Sequence, residues 1–130
     1  MRNYENAKFV VTLRDVYHSE PRLSAKRKGS KKSVVIANGG GELRRFLFDK
    51  QRSLIRYITE MNDAIISYDL NTGKKQTLLS FGSFVESNLL DTTPDGALLA
   101  FERYGPCEPG KPGVPMGRDI YRICFLSLAP

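Results

Sequence analysis

Histidine and cysteine are scarce: the 130 residues hold one histidine, His18, and two cysteines, Cys107 and Cys124. Two cysteines seventeen apart with one distant histidine make a poor zinc signature, and free thiols are the expected state. Long apolar runs are missing too. The longest, such as Ala97–Phe101, have the length of a strand and fall far short of a membrane span. The opening Met1-Arg-Asn-Tyr-Glu-Asn-Ala-Lys leads into no apolar h-region, so the expectation is a cytoplasmic protein with no membrane partner. No serine elbow, HExxH, P-loop or GxGxxG is present, and Gly39-Gly-Gly41 lacks the Gly-Lys-Ser/Thr that would make it a phosphate cradle. The residues leave open whether the chain is an enzyme.

Positive charge is abundant but lopsided. The formal net charge is +6; residues 1–60 carry fourteen Lys/Arg against six Asp/Glu, and residues 61–130 carry six against eight. The excess centres on Lys26, Arg27, Lys28, Lys31 and Lys32, with Gly29-Ser30 between them. Such a run serves either as a solvated hairpin tip or as a contact for a polyanion, an acidic polysaccharide included. No RNA-recognition sheet motif, zinc-finger spacing or GXXG loop accompanies it, which argues against a dedicated nucleic-acid binder.

Short apolar runs rich in Val, Ile, Leu, Phe and Tyr, separated by turn formers, read as strands. The expected strands are Lys8–Leu13, Lys32–Ala37, Leu43–Phe48, Ser53–Ile58, Ala64–Leu70, Gln76–Phe81, Phe84–Leu90, Ala97–Tyr104 and Ile120–Leu128. Ser19–Ser24, with Pro21, is expected to be loop. Asn71-Thr-Gly73 and Thr93-Pro-Asp-Gly96 are the best turn signals, since Gly73 and Gly96 can adopt positive φ at little cost. Across the first turn, Ile66, Tyr68 and Leu70 are expected to share a face with Thr77 and Leu79. Gly105–Gly117 holds four prolines and four glycines in thirteen residues and must be a surface loop.

An internal repeat runs through these strands. Asp49–Tyr57 aligns with Thr93–Phe101 at an offset of 44, so Leu54, Ile55 and Tyr57 match Leu98, Leu99 and Phe101. Beyond the Pro/Gly insertion the offset grows to 58 and sets Asn62–Leu70 against Ile120–Leu128. A fainter trace sets Val34–Gly41 against Ile66–Gly73. A period in the forties with four short strands per unit suits a β-propeller blade. The expected fold is therefore all-β: antiparallel β-meanders forming two to three incomplete blades in one domain. Its copies span about 49–90 and 91–130, with a partial copy over about 8–48.

Ile65-Ile-Ser-Tyr-Asp-Leu-Asn-Thr-Gly-Lys followed by Thr-Leu-Leu, and Pro94-Asp-Gly-Ala-Leu-Leu-Ala-Phe-Glu, resemble the TolB-type or PD40 propeller repeat. Among its families the pattern is most similar to the oligogalacturonate lyases, in which a strand like Leu98–Glu102 precedes a long insertion. The resemblance spans about residues 32–130. It implies the N-terminal blades of an enzyme that cleaves pectic oligogalacturonides by β-elimination. The family's divalent metal is held by histidines on later blades, so none is expected in this chain and no activity of the chain alone.

Arg103, Lys111 and Arg118 flank or lie in the insertion and could hold a carboxylate. Asp63, Asp69, Glu102 and Asp119 sit where turns and strand ends usually place carboxylates. The other expectation is a noncatalytic module that binds a protein or polyanion. Two and a half blades leave a blade face or edge exposed, to be covered by self-association or by the remaining blades of a longer chain.

Overall fold

The computed structural model describes residues 1–15, 20–61, 64–81, 87–104, 107 and 121–128. They form three antiparallel β-meanders stacked face to face. The first sheet runs β1 (Arg2–Glu5), β2 (Phe9–Arg14), β3 (Arg22–Arg27), β4 (Val34–Asn38) in simple order. The second runs β5 (Leu47–Asp49), β6 (Leu54–Ile58), β7 (Ala64–Asp69), β8 (Lys75–Ser80). In the third, β10 (Leu98–Tyr104) lies between β9 (Ser87–Thr92) and β11 (Tyr121–Ser127). An all-β fold of antiparallel meanders was expected, and the sheets have four, four and three strands.

Alternation of side chains decides which face of each strand is buried. On β2 and β3 the residues Val11, Leu13, Leu23 and Ala25 point inward and, with Ile36 of β4, meet Ile55, Tyr57 and Tyr68 of the second sheet. The second sheet uses its opposite face as well. There Ile58 and Ile65 pack on Leu89, Leu99, Phe101 and Cys124 of the third sheet, with Phe81 filling the gap. The middle sheet is thus apolar on both faces, while the outer two contribute one face each.

The repeat offsets reappear in the strand pairing. Leu54 pairs with Asp69 and Leu98 with Ser127; Tyr57 pairs with Ile66 and Phe101 with Cys124. Each residue of β6 and its β7 partner thus have counterparts 44 and 58 positions on, already paired. Ile55, Leu99 and Phe101 are fully buried, and Tyr57 is buried as well. The fainter trace does not hold, because β4 closes its sheet whereas β7 is an inner strand.

Three local expectations are corrected. Gly41–Arg45, expected within a strand over Leu43–Phe48, is a 3-10 helix that drops Leu43 into the first core, and only the short β5 follows. Ser19–Ser24 was expected to be loop, but β3 begins at Arg22. Pro21 stands just ahead of that strand, where no ladder donor is required, and its carbonyl accepts Gly39 N–H at 3.1 Å. Leu79 does not share the face of Ile66: a bulge between Ile65 and Ile66 pairs Leu79 with Ile65 and Thr77 with Ile66. β1 was not anticipated, since only Tyr4 among its four residues is half-buried.

Candidate functional site

The basic run folds as the tip of the β3–β4 hairpin. Gly29 takes φ +85°, Ser30 N–H closes on the Arg27 carbonyl at 3.0 Å, and Ser30 Oγ accepts Lys32 N–H at 3.1 Å. All five cations are exposed there. Two of them are engaged: the Arg27 guanidinium stacks 4.8 Å from the Phe9 ring centre, and Lys28 Nζ lies 3.7 Å from Glu5. A shallow groove of about 200 Å³ beside the tip is lined by Lys26, Arg27, Lys32 and apolar neighbours.

Arg103, expected to be available to a ligand, is not. Its side chain is fully buried (0% exposed) with the guanidinium 4.7 Å from the Phe81 ring centre. Its place on the inner face of β10, two residues beyond Phe101, turns it toward the second sheet. Lys111, Arg118, His18, Asp63 and Asp119 lie outside the described residues. Glu102 accepts from Asn88 Nδ2 at 3.0 Å and lies 3.7 Å from Arg45. Asp69 Oδ1 accepts the Asn71 N–H at 2.8 Å, closing the β7–β8 turn in which Gly73 has φ +74°. Among the described residues no three His, Cys, Asp or Glu gather as a metal site, and no helix is long and apolar enough to cross a membrane.

The cysteines are not free. Cys107 and Cys124 form a disulfide, which ties the chain beyond β10 to the buried middle of β11. Spacing alone could not show this, because the pair meets only once β11 folds back on β10.

Two features escaped the sequence reading. The first is a cleft of about 550 Å³ between the second and third sheets. Arg56 and Ser67, paired across β6 and β7, are its buried polar residues. Leu54, Asp69, Thr72, Lys74, Gln76, Thr77, Leu78, Ser127 and Leu128 also line it. Arg56 Nη1 is 3.6 Å from Asp49 Oδ2, an oxygen that also accepts Arg52 Nη1 at 3.0 Å. Arg56 Nε and Nη1 are buried and have no hydrogen-bond partner. Burial pulls the guanidinium below its ordinary pKa, and Asp49 opposes the shift.

The second is the outer face of the third sheet. Leu98, Ala100, Ile123 and Phe125 line it by register, and Leu98, Ile123 and Phe125 are 40%, 63% and 67% exposed. Leu90, in the bulge of β9, is exposed beside them. The first sheet ends the stack differently: its outer face carries Asn3, Glu5, Thr12, Arg14, Arg22, Ser24 and Lys26 among few apolar residues.

No family model matches the chain, and neither does any curated protein or solved structure.

Proposed function

We propose that this chain is a noncatalytic assembly module, a stack of β-meanders of the propeller-blade type, whose third sheet docks on the same face of a second copy. The carrying observation is the exposed apolar face of Leu98, Ile123 and Phe125. By register it corresponds to the face of the second sheet that the third sheet covers. That established interface shows what such a face packs against: another meander with apolar residues turned toward it. The polar outer face of the first sheet is a poor match, so a head-to-tail arrangement is disfavoured. Like-to-like docking sets apolar against apolar. It also keeps the basic hairpins of the two copies apart, since the second sheet separates each hairpin from the docking face. The likeness to the TolB or PD40 repeat accounts for the scaffold as ancestry and carries no catalytic step.

Sedimentation of the full chain across a concentration series tests this. Dimers that become monomers in Phe125→Asp and in Ile123→Asp, with unchanged circular dichroism, are expected. A chain that stays monomeric at high concentration, or variants that still dimerise, would remove the second copy as occupant.

A second reading has its own observation, the exposed Lys26, Lys31 and Lys32 on one hairpin tip. They suit a polyanion such as an acidic polysaccharide, bound chiefly by salt-sensitive electrostatics. The cytoplasmic expectation remains a proposal, and the disulfide favours an oxidising compartment instead. Thiol labelling of the native protein from its source distinguishes the two.

A further inference from the structure

We infer that the cleft between the second and third sheets binds a small oxyanion, a carboxylate or a phosphate, through Arg56. Strand register does not by itself call for the polar residues there: the counterparts of Arg56, Ser67 and Asp69 on the outer face of the third sheet are Ala100, Phe125 and Ser127. A guanidinium inserted between two sheets is costly to desolvate, and here its Nε and Nη1 have no acceptor within hydrogen-bond distance. Its one ion-pair partner among the described residues, Asp49, lies at 3.6 Å and is held more closely by Arg52. The forked donor geometry of arginine matches a planar carboxylate or a phosphate edge.

The charge balance points the same way. With Arg52 and Asp49 neutralising each other, the cleft holds Arg56 and Lys74 against Asp69, an excess of one positive charge. Asp69 is occupied by Asn71 N–H, and among the described residues no second carboxylate lines the wall to make a cation site. Ser67, Thr72, Gln76 and Thr77 add hydroxyl and amide groups able to bond the remaining oxygens. The volume lies in the range of small-molecule pockets, roughly 300–1,000 Å³, and is too small for a folded partner.

The test is a titration of the ¹⁵N-labelled full chain with acetate and, separately, inorganic phosphate, at constant ionic strength set by sodium chloride. The Arg56 Nε–H signal and the amides of Ser67, Thr72 and Lys74 are followed. Expected is a saturable shift with a dissociation constant of about 1 mM or tighter for at least one anion. Saturation by acetate alone names a carboxylate and by phosphate alone a phosphate. Binding should weaken about tenfold in Arg56→Met and by a smaller factor in Lys74→Gln. Lys74 is exposed, so that variant remains informative where loss of a buried arginine unfolds the protein. Linear responses to both anions up to roughly 50 mM, or affinity unchanged in Lys74→Gln and Arg56→Met, would overturn the assignment. Self-association through the third sheet is read separately, so either proposal can fail alone.

Discussion

Arg52 Nη2 donates to the carbonyl oxygen of Asp95 at 2.7 Å, joining the turn that opens β6 to the turn that opens β10. An analogous link precedes it. Asn6, in the β1–β2 turn, donates through Nδ2 to the Lys50 carbonyl at 3.0 Å and to Ser53 Oγ at 2.9 Å. The first turn of every sheet is thereby bonded to the first turn of its neighbour, and the stack is laced along one end. Each of these turns is also closed from within by a side-chain acceptor: Asn6 takes Phe9 N–H, Asp49 takes Arg52 N–H and Asp95 takes Ala97 N–H.

Gly96 is where this lacing is most sensitive to a methyl group. Its φ is +74°, and a Cβ there would come within 2.6 Å of Arg52 Cζ. Gly96→Ala should cost about 1–3 kcal/mol, part from the left-handed backbone and part from displacing Arg52. Gly29→Ala is the control: φ is +85° with nothing within 4 Å, so only the backbone cost of about 1–2 kcal/mol remains. Urea denaturation measures both. A Gly96→Ala penalty that is the same in an Arg52→Ala background would show that the clash contributes nothing.

The disulfide should matter more than either turn. Cys107 and Cys124 are 17 residues apart, and closing a loop of that order stabilises by about 3 kcal/mol on the chain-entropy account. Reductant should lower the melting temperature of the wild type and leave Cys107→Ser/Cys124→Ala unaffected. Equal response of both proteins, read by scanning calorimetry, would remove the bridge from the stability argument.

Acid should loosen the same end of the stack. Asp95 Oδ1 accepts from Thr93 Oγ1 at 2.7 Å and from Ala97 N–H at 3.0 Å, and these bonds hold the Asp95 carboxyl below its ordinary 3.8. A carboxyl depressed by folding contributes stability above its unfolded pKa and loses it as pH falls through the lower folded value. Asp15, bonded by Arg44 at 2.6 and 2.8 Å, is depressed in the same direction. Asp95→Asn should flatten the acid side of the stability profile below about pH 4, as read by denaturation at stepped pH. An unchanged profile in Asp95→Asn and Asp15→Asn would assign the acid loss to other groups.

Leu54–Ile58 and Leu98–Tyr104 were legible as short apolar runs bounded by turn formers, and β6 reads as nearly continuous because it is buried on both faces. The repeat was legible because Ile55 and Tyr57, like Leu99 and Phe101, enter a core at the same spacing. β1 was not, because an edge strand with one half-buried residue leaves no hydrophobic trace. β3 was hidden by Pro21, although Leu23 and Ala25 alternate correctly. Arg103 read as a surface cation because sequence assigns charge to solvent; its parity with Leu99 and Phe101 on β10 was the signal that placed it inside. Arg56 shares a face with Ile58, not with Tyr57, and parity could have flagged it too. What no local pattern could supply was the pairing of Arg56 with Ser67 across two strands to shape the cleft.

Arg103 and the hairpin cations, grouped by sequence as ligand contacts, should separate in experiment. Arg103→Ala removes a fully buried side chain and its contact with Phe81, and should destabilise by about 2–4 kcal/mol in urea while leaving polyanion affinity unchanged. Replacing Lys26, Lys31 and Lys32 with glutamine should leave stability within about 0.5 kcal/mol, because all three are exposed. The same triple variant should weaken binding to polygalacturonate and flatten its salt dependence, since fewer counterions are released. Fluorescence anisotropy at two salt concentrations reads both effects. Should Arg103→Ala weaken binding without loss of stability, or the lysine variant bind as before, the hairpin is not the polyanion contact.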